Sequence, residues 1–402
     1  MKKEVFVTGL LSAVLAAGAG VYFGRPYVQE LVAKQTENPV TKARIMAHGD
    51  LLYHDLLYYS AEQADGSYDF SENFTYVKPW LEQADLVLGD FEGTINPDYP
   101  LAGYPFFNAP EQVVQAIKEA GYDVVDLAHN HILDSGLEGV ATTAQAFKDA
   151  GIDPIGVYPD QPRDQAPLVI REVNGIKIAL LAYAYGFNGL EAGLSPEEYS
   201  ATLSDLDLDK MEAEIKRAEQ EADLTIVMPQ MGEEYRLEPT EEQIELYHKM
   251  VDWGADLVFG GHPHVPEPTE TMEKDGESKF IIYSMGNFIS NQRLESLDGL
   301  VANAEWTERG VLMDVQVEKQ GQQTRIKSVK AHPSWVSRVD KGSYSQAGFP
   351  QYSYQTLIIE DFLPGGRYAN QLDPDTQARI EEAYQATNDL LALKWPKNEK
   401  AR

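Results

Sequence analysis

The stretch Asp256–Pro268, "DLVFGGHPHVPEP", decides how the rest of the chain is read. An apolar run ends in Gly260 and Gly261. Two histidines follow, His262 and His264, with Pro263 between them. The 402-residue chain has 8 histidines, so the pair asks for a reason. In an extended loop, residues two apart point the same way, and Pro263 fixes its own φ. A single H-x-H is a weak signal, so the reason has to come from other segments.

Upstream, "PTEEQIELYHKMVDWGADL" reads as a helix. Thr240 stands as N-cap with Gln243 three residues on, as in a capping box. Ile244, Tyr247, Met250 and Val251 share a face, and Gly254 takes the C-terminal position. Further helices are expected near 109–120, 136–150, 207–221 and 375–393. Short apolar runs alternate with them at 44–50, 85–90, 123–129, 223–230, 256–261 and 279–287. The segment 167–184 is a hairpin turning at Asn174–Gly175, and 311–318 with 324–331 form a second strand pair. Alternation of this kind predicts an α/β domain.

The strands end in residues of one kind. Asp50 ends the first, with His54 just beyond. Asp90 and Glu92 end the second, and His129, Asn130 and His131 the third. Gln230, Glu233 and Glu234 follow the fourth, His262 and His264 the fifth, and Ser284 and Asn287 the sixth. The carboxyl ends of strands in open α/β sheets face the ligand crevice. Taken singly, each residue has an ordinary reading: Asp50 as a helix cap, Asn130 as a turn residue, Glu233 and Glu234 as a solvated loop. Taken together they predict one polar site. Imidazole with oxygen ligands suits a divalent Mn, Zn or Fe ion, one ion or two sharing a carboxylate.

Composition narrows the partners. Lys and Arg number 33 against 64 Asp and Glu, a net charge of −31. This balance argues against nucleic acid as a partner, since its binding rests on cations set against phosphates. The chain has no cysteine, which removes disulfides and thiolate metal sites. At the N-terminus Lys2 and Lys3 precede an uncharged run from Val5 to Gly24. At about 1.5 Å per residue such a helix spans the hydrocarbon core of a bilayer. The positive-inside rule then leaves the bulk of the chain outside the cell. The expected organisation is a single-pass anchor over 1–24, a stalk over 25–43, one domain over 44–340 and a C-terminal extension over 341–402. A cleaved signal peptide ending near Ala17–Ala19 is the competing reading of the first segment.

The segments "AHGDLLYHD", "ADLVLGDFEGTI", "YDVVDLAHNHILDSG", "QMGEEYRLEPTEEQ", "GADLVFGGHPHVPEP" and "IIYSMGNFIS" resemble, in order, the motifs of the capsule-biosynthesis CapA (PgsA) family. The resemblance covers about residues 44 to 290. It implies a calcineurin-like metallophosphoesterase fold, an α/β/β/α sandwich of four layers. It also implies a role in making or exporting poly-γ-glutamate beside membrane synthesis subunits. Carried over by position, Asp50 is the first metal aspartate, and Asp90 or Glu92 bridges. Asn130 is a ligand, His131 the group near the reacting phosphate, and His262 and His264 the closing pair. His54, His129, Gln230, Glu233 and Asn287 line the site.

Two departures stand out. The family commonly has histidine before "WGEE", where this chain has Gln230 and Met231. The histidine that phosphoesterases carry two residues after the first aspartate is also absent. The first functional expectation is therefore a membrane-anchored accessory protein acting on an anionic polymer. The alternative is a surface metal-dependent phosphoesterase with His131 and Asp90 in catalysis, and a third reading is a degenerate site kept for binding.

Overall fold

The computed structural model describes residues 39–396. The expected anchor and the stalk up to residue 38 lie outside the described residues, among which no helix is long and apolar enough to cross a membrane. The stalk boundary at 43 is corrected. The β-branched Val40 and Thr41 already open the first strand, β1 (Val40–Leu52). Lys42 there pairs with Glu318 at 3.2 Å, and its carbonyl accepts from Asn174 Nδ2 at 2.9 Å.

Two sheets carry the fold. The strands in chain order are β2 (Leu86–Glu92), β3 (Val124–Asp126), β4 (Asp153–Ile155), β5 (Val169–Val173), β6 (Ile176–Ala184), β7 (Leu224–Gln230), β8 (Leu257–Phe259), β9 (Thr269–Lys274), β10 (Glu277–Ile282), β11 (Asn287–Ile289), β12 (Arg309–Gln320), β13 (Gln323–Tyr344) and β14 (Pro350–Ile358). The larger sheet runs β14-β13-β12-β1-β2-β3-β4, with β11 beside β1. The smaller runs β5-β6-β7-β8-β10-β9. The strands from β1 to β4 are parallel, as are those from β6 through β10 in the smaller sheet. The outer hairpins are antiparallel.

Side-chain alternation explains the layering. Ile178, Leu180 and Ala182 of β6 join one core with Ile226, Met228, Phe280 and the residues of the larger sheet. Ala179, Leu181 and Tyr183 of the same strand point the other way, into a second core. That second core is closed by helices α3 (Leu208–Glu221) and α4 (Glu241–Trp253), through Met211, Ile215, Tyr247 and Met250. Helices α1 (Gln112–Ala120) and α2 (Gly136–Asp149) pack against the larger sheet through Val113, Ile117, Val140 and Phe147. A strand buried on both faces reads as a continuous apolar run, which is why these were visible in the sequence.

Several elements differ from expectation. The run 279–287 is not one strand. β10 ends at Ile282 in the smaller sheet, and β11 begins at Asn287 in the larger one. Gly286, at φ 65°, makes the turn between them. β13 runs past residue 340, and β14 belongs to the larger sheet. Trp335 and Leu357 of these strands share a core with Phe362 and with Ile380 of α5 (Pro374–Leu391). Residues expected to form an appended tail thus supply an edge of the main sheet.

Candidate metal centre

Strand register brings the acids together. Asp50 in β1 stands opposite Asn287 in β11 on one side and Asp90 in β2 on the other. Asp90 in turn faces Asp126 in β3. Four polar residues thus form a row across adjacent parallel strands. Glu92 lies two residues beyond Asp90 and so shares its face. From the smaller sheet, Gln230 at the end of β7 bridges to Gly261, and the loop after Gly261 carries His262 and His264. Asp50, Asp90, Glu92, Asp126, Asn130, Gln230, His262, His264 and Asn287 are all buried.

The contacts are close. His264 Nδ1 lies 2.8 Å from Asp50 Oδ2 and 3.9 Å from Glu92 Oε2. One donor atom from each of Asp50, Glu92 and His264 falls within 4.8 Å of the others. Gln230 Nε2 donates to Asp90 Oδ2 at 2.8 Å and also to Glu92 Oε1. His131 Nδ1 is held at 2.8 Å by Asp134, whose same oxygen accepts the Phe107 N–H at 2.6 Å. Asn130 Nδ2 donates to Asn188 Oδ1 at 3.2 Å.

The loop departs from the extended geometry expected of it. His262 has φ 95° and His264 φ 60°, both left-handed. Such backbone costs roughly 1–3 kcal/mol per residue and persists where the surroundings hold it. Here the Tyr235 N–H donates to the Pro263 carbonyl at 2.8 Å. The imidazoles end 6.1 Å apart, with the Tyr185 ring 4.5 Å from His262.

Electrostatics test whether a cation belongs here. Burial, opposed by a hydrogen bond from the His262 backbone, pushes Asp50 up to about 8. Burial and then the Asp50 charge push Glu92 up to about 8. Burial and neighbouring carboxylates hold Asp90 and Asp126 well above the usual range. Among the described residues no Lys or Arg pairs with these acids. Asp50 Oδ1, Asp90 Oδ1, Glu92 Oε2, Asn130 Oδ1, His262 Nδ1 and Asn287 Oδ1 have no hydrogen-bond partner. Buried carboxylates without counter-charge are costly, and unpartnered buried lone pairs are rare. The donor set, oxygens with neutral imidazole, fits a divalent ion of the Mn, Zn or Fe kind. Burial lowers His262 to about 3, which keeps it neutral and able to ligate.

Three expected lining residues stand apart from this cluster. Glu233 is exposed and pairs with Arg236 at 2.9 Å, so it is corrected to a surface residue. His54 is partly buried at the rim, edge-on to Phe107 at 5.2 Å, and outside the ligand triad. His129 is buried, and its Nδ1 accepts the His131 N–H at 3.2 Å, so that nitrogen serves the loop. Sequence reasoning missed Asp126, Asp134, Asn188 and Tyr185. Asp134 had a local signal, three residues after His131, whereas Asp126 joins the site only through the register of β3 against β2.

The family model described as bacterial capsule synthesis protein PGA_cap matches residues 44–292. The "Capsule biosynthesis protein CapA" of Bacillus anthracis is 34% identical over 228 residues, 54% of this chain and 54% of that one. The "PGA biosynthesis protein CapA" of Bacillus subtilis is 30% identical over 223 residues, 54% of this chain and 57% of that one. The chain thus spans about half the length of the curated relatives it matches. A calcineurin-like phosphoesterase from Bacillus subtilis aligns structurally with a TM-score of 0.43 at 14% identity, over 87% of this chain and 99% of that one. Since the family model covers more than half of its residues, the chain belongs to the bacterial capsule synthesis protein family PGA_cap.

Proposed function

We propose that the protein is an accessory subunit for the synthesis or export of an anionic capsular polymer, poly-γ-glutamate in the first instance, and that it works through a divalent cation held at the ends of its strands. The observation that carries this reading is the cluster of buried acids with unpartnered oxygens and, among the described residues, no Lys or Arg to offset them. Asp50, Glu92 and His264 would hold the ion, with Asp90, Asn130 and His262 beside it. Bound there, the ion supplies Lewis-acid charge for a carboxylate or phosphoryl oxygen. The chain needs that charge to meet a polyanion, because its own net charge of −31 repels one.

In this reading an N-terminal helix over 1–24 anchors the chain in the cell membrane and the bulk lies outside, beside the membrane subunits that make the polymer. The test is binding of poly-γ-glutamate to the purified full chain with Mn²⁺ and after chelation. Binding that needs Mn²⁺ and disappears in His264→Ala supports the proposal; binding indifferent to chelator overturns it.

A second reading, a metal-dependent phosphoesterase, is favoured by one detail. His131 Nδ1 donates to Asp134 Oδ2 at 2.8 Å. That fixes the ring and leaves Nε2 to pass a proton to a departing oxygen. Hydrolysis of an aryl phosphate with Mn²⁺, lost in His131→Ala with polymer binding kept, would select this reading.

A further inference from the structure

Gln230 bridges two of the buried acids of this centre. Its Nε2 donates to Asp90 Oδ2 at 2.8 Å and to Glu92 Oε1. With both acids ionised, as a bound cation would hold them, the amide's orientation follows, since the reversed form would set its carbonyl oxygen against two carboxylate oxygens. The amide side chain is buried, and strand pairing with Gly261 holds its backbone. Other oxygens of the centre are left without partners, Asp90 Oδ1 among them. Asp50 Oδ1 and Glu92 Oε2 have no partner, and with His264 these two residues form the one triad of His and acid donors within 4.8 Å among the described residues.

We propose that this centre takes a single divalent ion, on Asp50, Glu92 and His264, with the Gln230 amide occupying the place between Asp90 and Glu92 that a second ion would require. The inference rests on the cation reading above and adds the number of ions and the residue that sets it. An N–H group satisfies a carboxylate oxygen much as a cation does, by placing positive charge on its lone pair. It cannot be displaced as a proton is, because the amide does not ionise. A neutral imidazole at position 230 would instead present a lone pair to a metal. One ion binds an anionic group, whereas two ions about 3.5–4 Å apart clamp both the attacking and the leaving oxygen. A one-ion centre therefore favours holding a polymer over cutting a phosphoester.

The experiment is elemental analysis of the full chain after chelation and dialysis against excess Mn²⁺, together with the electron paramagnetic resonance spectrum of the bound ion. The expected result is one Mn²⁺ per chain with the spectrum of an isolated ion, and none retained in His264→Ala. Gln230→His should then hold two ions and give a spin-coupled spectrum. Two ions, or a coupled spectrum, in the unaltered chain would overturn the inference and leave the cation reading standing. No ion in the unaltered chain would overturn both. A folded Gln230→His that still holds one ion would also count against it. If that variant does not fold, the ratio and spectrum of the unaltered chain decide.

Discussion

A Cβ on Gly261 would stand 3.0 Å from Asp90 Oδ2 and 3.3 Å from Asp50 Oδ1. Those oxygens belong to buried side chains and have little room to yield. Gly261→Ala should therefore push the carboxylates apart and destabilise the fold by about 1–3 kcal/mol, the usual range for overpacking. Thermal melts with and without Mn²⁺ check this, the Mn²⁺-dependent gain being smaller in the variant. The acids also set a pH dependence for the metal-free protein. Asp50 and Glu92, at 3.8 and 4.5 by nature, are raised to about 8 by burial. For a raised carboxyl, stability is greatest below the unfolded value and falls as pH climbs from there until it has passed the folded value. The depressed histidines His48, His54, His129 and His262 act in the opposite sense, but below their ordinary value of 6.5. Between pH 6.5 and 8 the acids dominate, so the melting temperature of metal-free protein should fall. His332, held up against burial by Asp314 and Glu360, adds to that fall. Excess Mn²⁺ should remove the part that belongs to the site, and an unchanged slope would contradict it. At this scale the sequence showed the histidines and the acids of "GDFE". It could not show that Asp126 joins them, because that depends on the register of β3 against β2.

The capping box at α4 was legible because its signal is local. Thr240 Oγ1 accepts the Gln243 N–H at 3.1 Å, and Gln243 Oε1 accepts the Thr240 N–H at 3.2 Å. Gln243 also donates to Glu267 at 2.7 Å and to the Tyr283 carbonyl at 3.0 Å. Thr240→Ala should cost about 1 kcal/mol. Gln243→Ala should cost more, since it leaves the buried Glu267 without its donor. Denaturant titration of both variants checks the order, and equal losses would refute it. The hairpin at Asn174–Gly175 was equally local, with φ 52° and 81° at its two turn residues. β9 was not legible. "TETMEK" lies at an edge, is half-buried and has no apolar run to mark it. The break between β10 and β11 was hidden for another reason. Ile282 through Asn287 are all buried, so hydropathy continues while the chain changes sheets.

Across the whole molecule, the α/β class followed from alternation along the chain. The extent of the domain did not, since the edge strand β14 reads as polar loop until it pairs with β13. Truncation after residue 340 would strip Leu357, Ile359, Phe362 and Ile380 from Trp335. The shortened chain should be insoluble or readily cut by protease, whereas an independent tail could be removed harmlessly. The crossing at Ser284–Gly286 has a wider consequence. Asp50, Asp90 and Glu92 ride on one layer, while Gln230, His262 and His264 follow strands of the other. Whatever they grip together fastens the two layers like a rivet. Loading or emptying the centre should then be felt far from it. Amide exchange in β2 and β8, strands of separate sheets, should slow in step as Mn²⁺ is added.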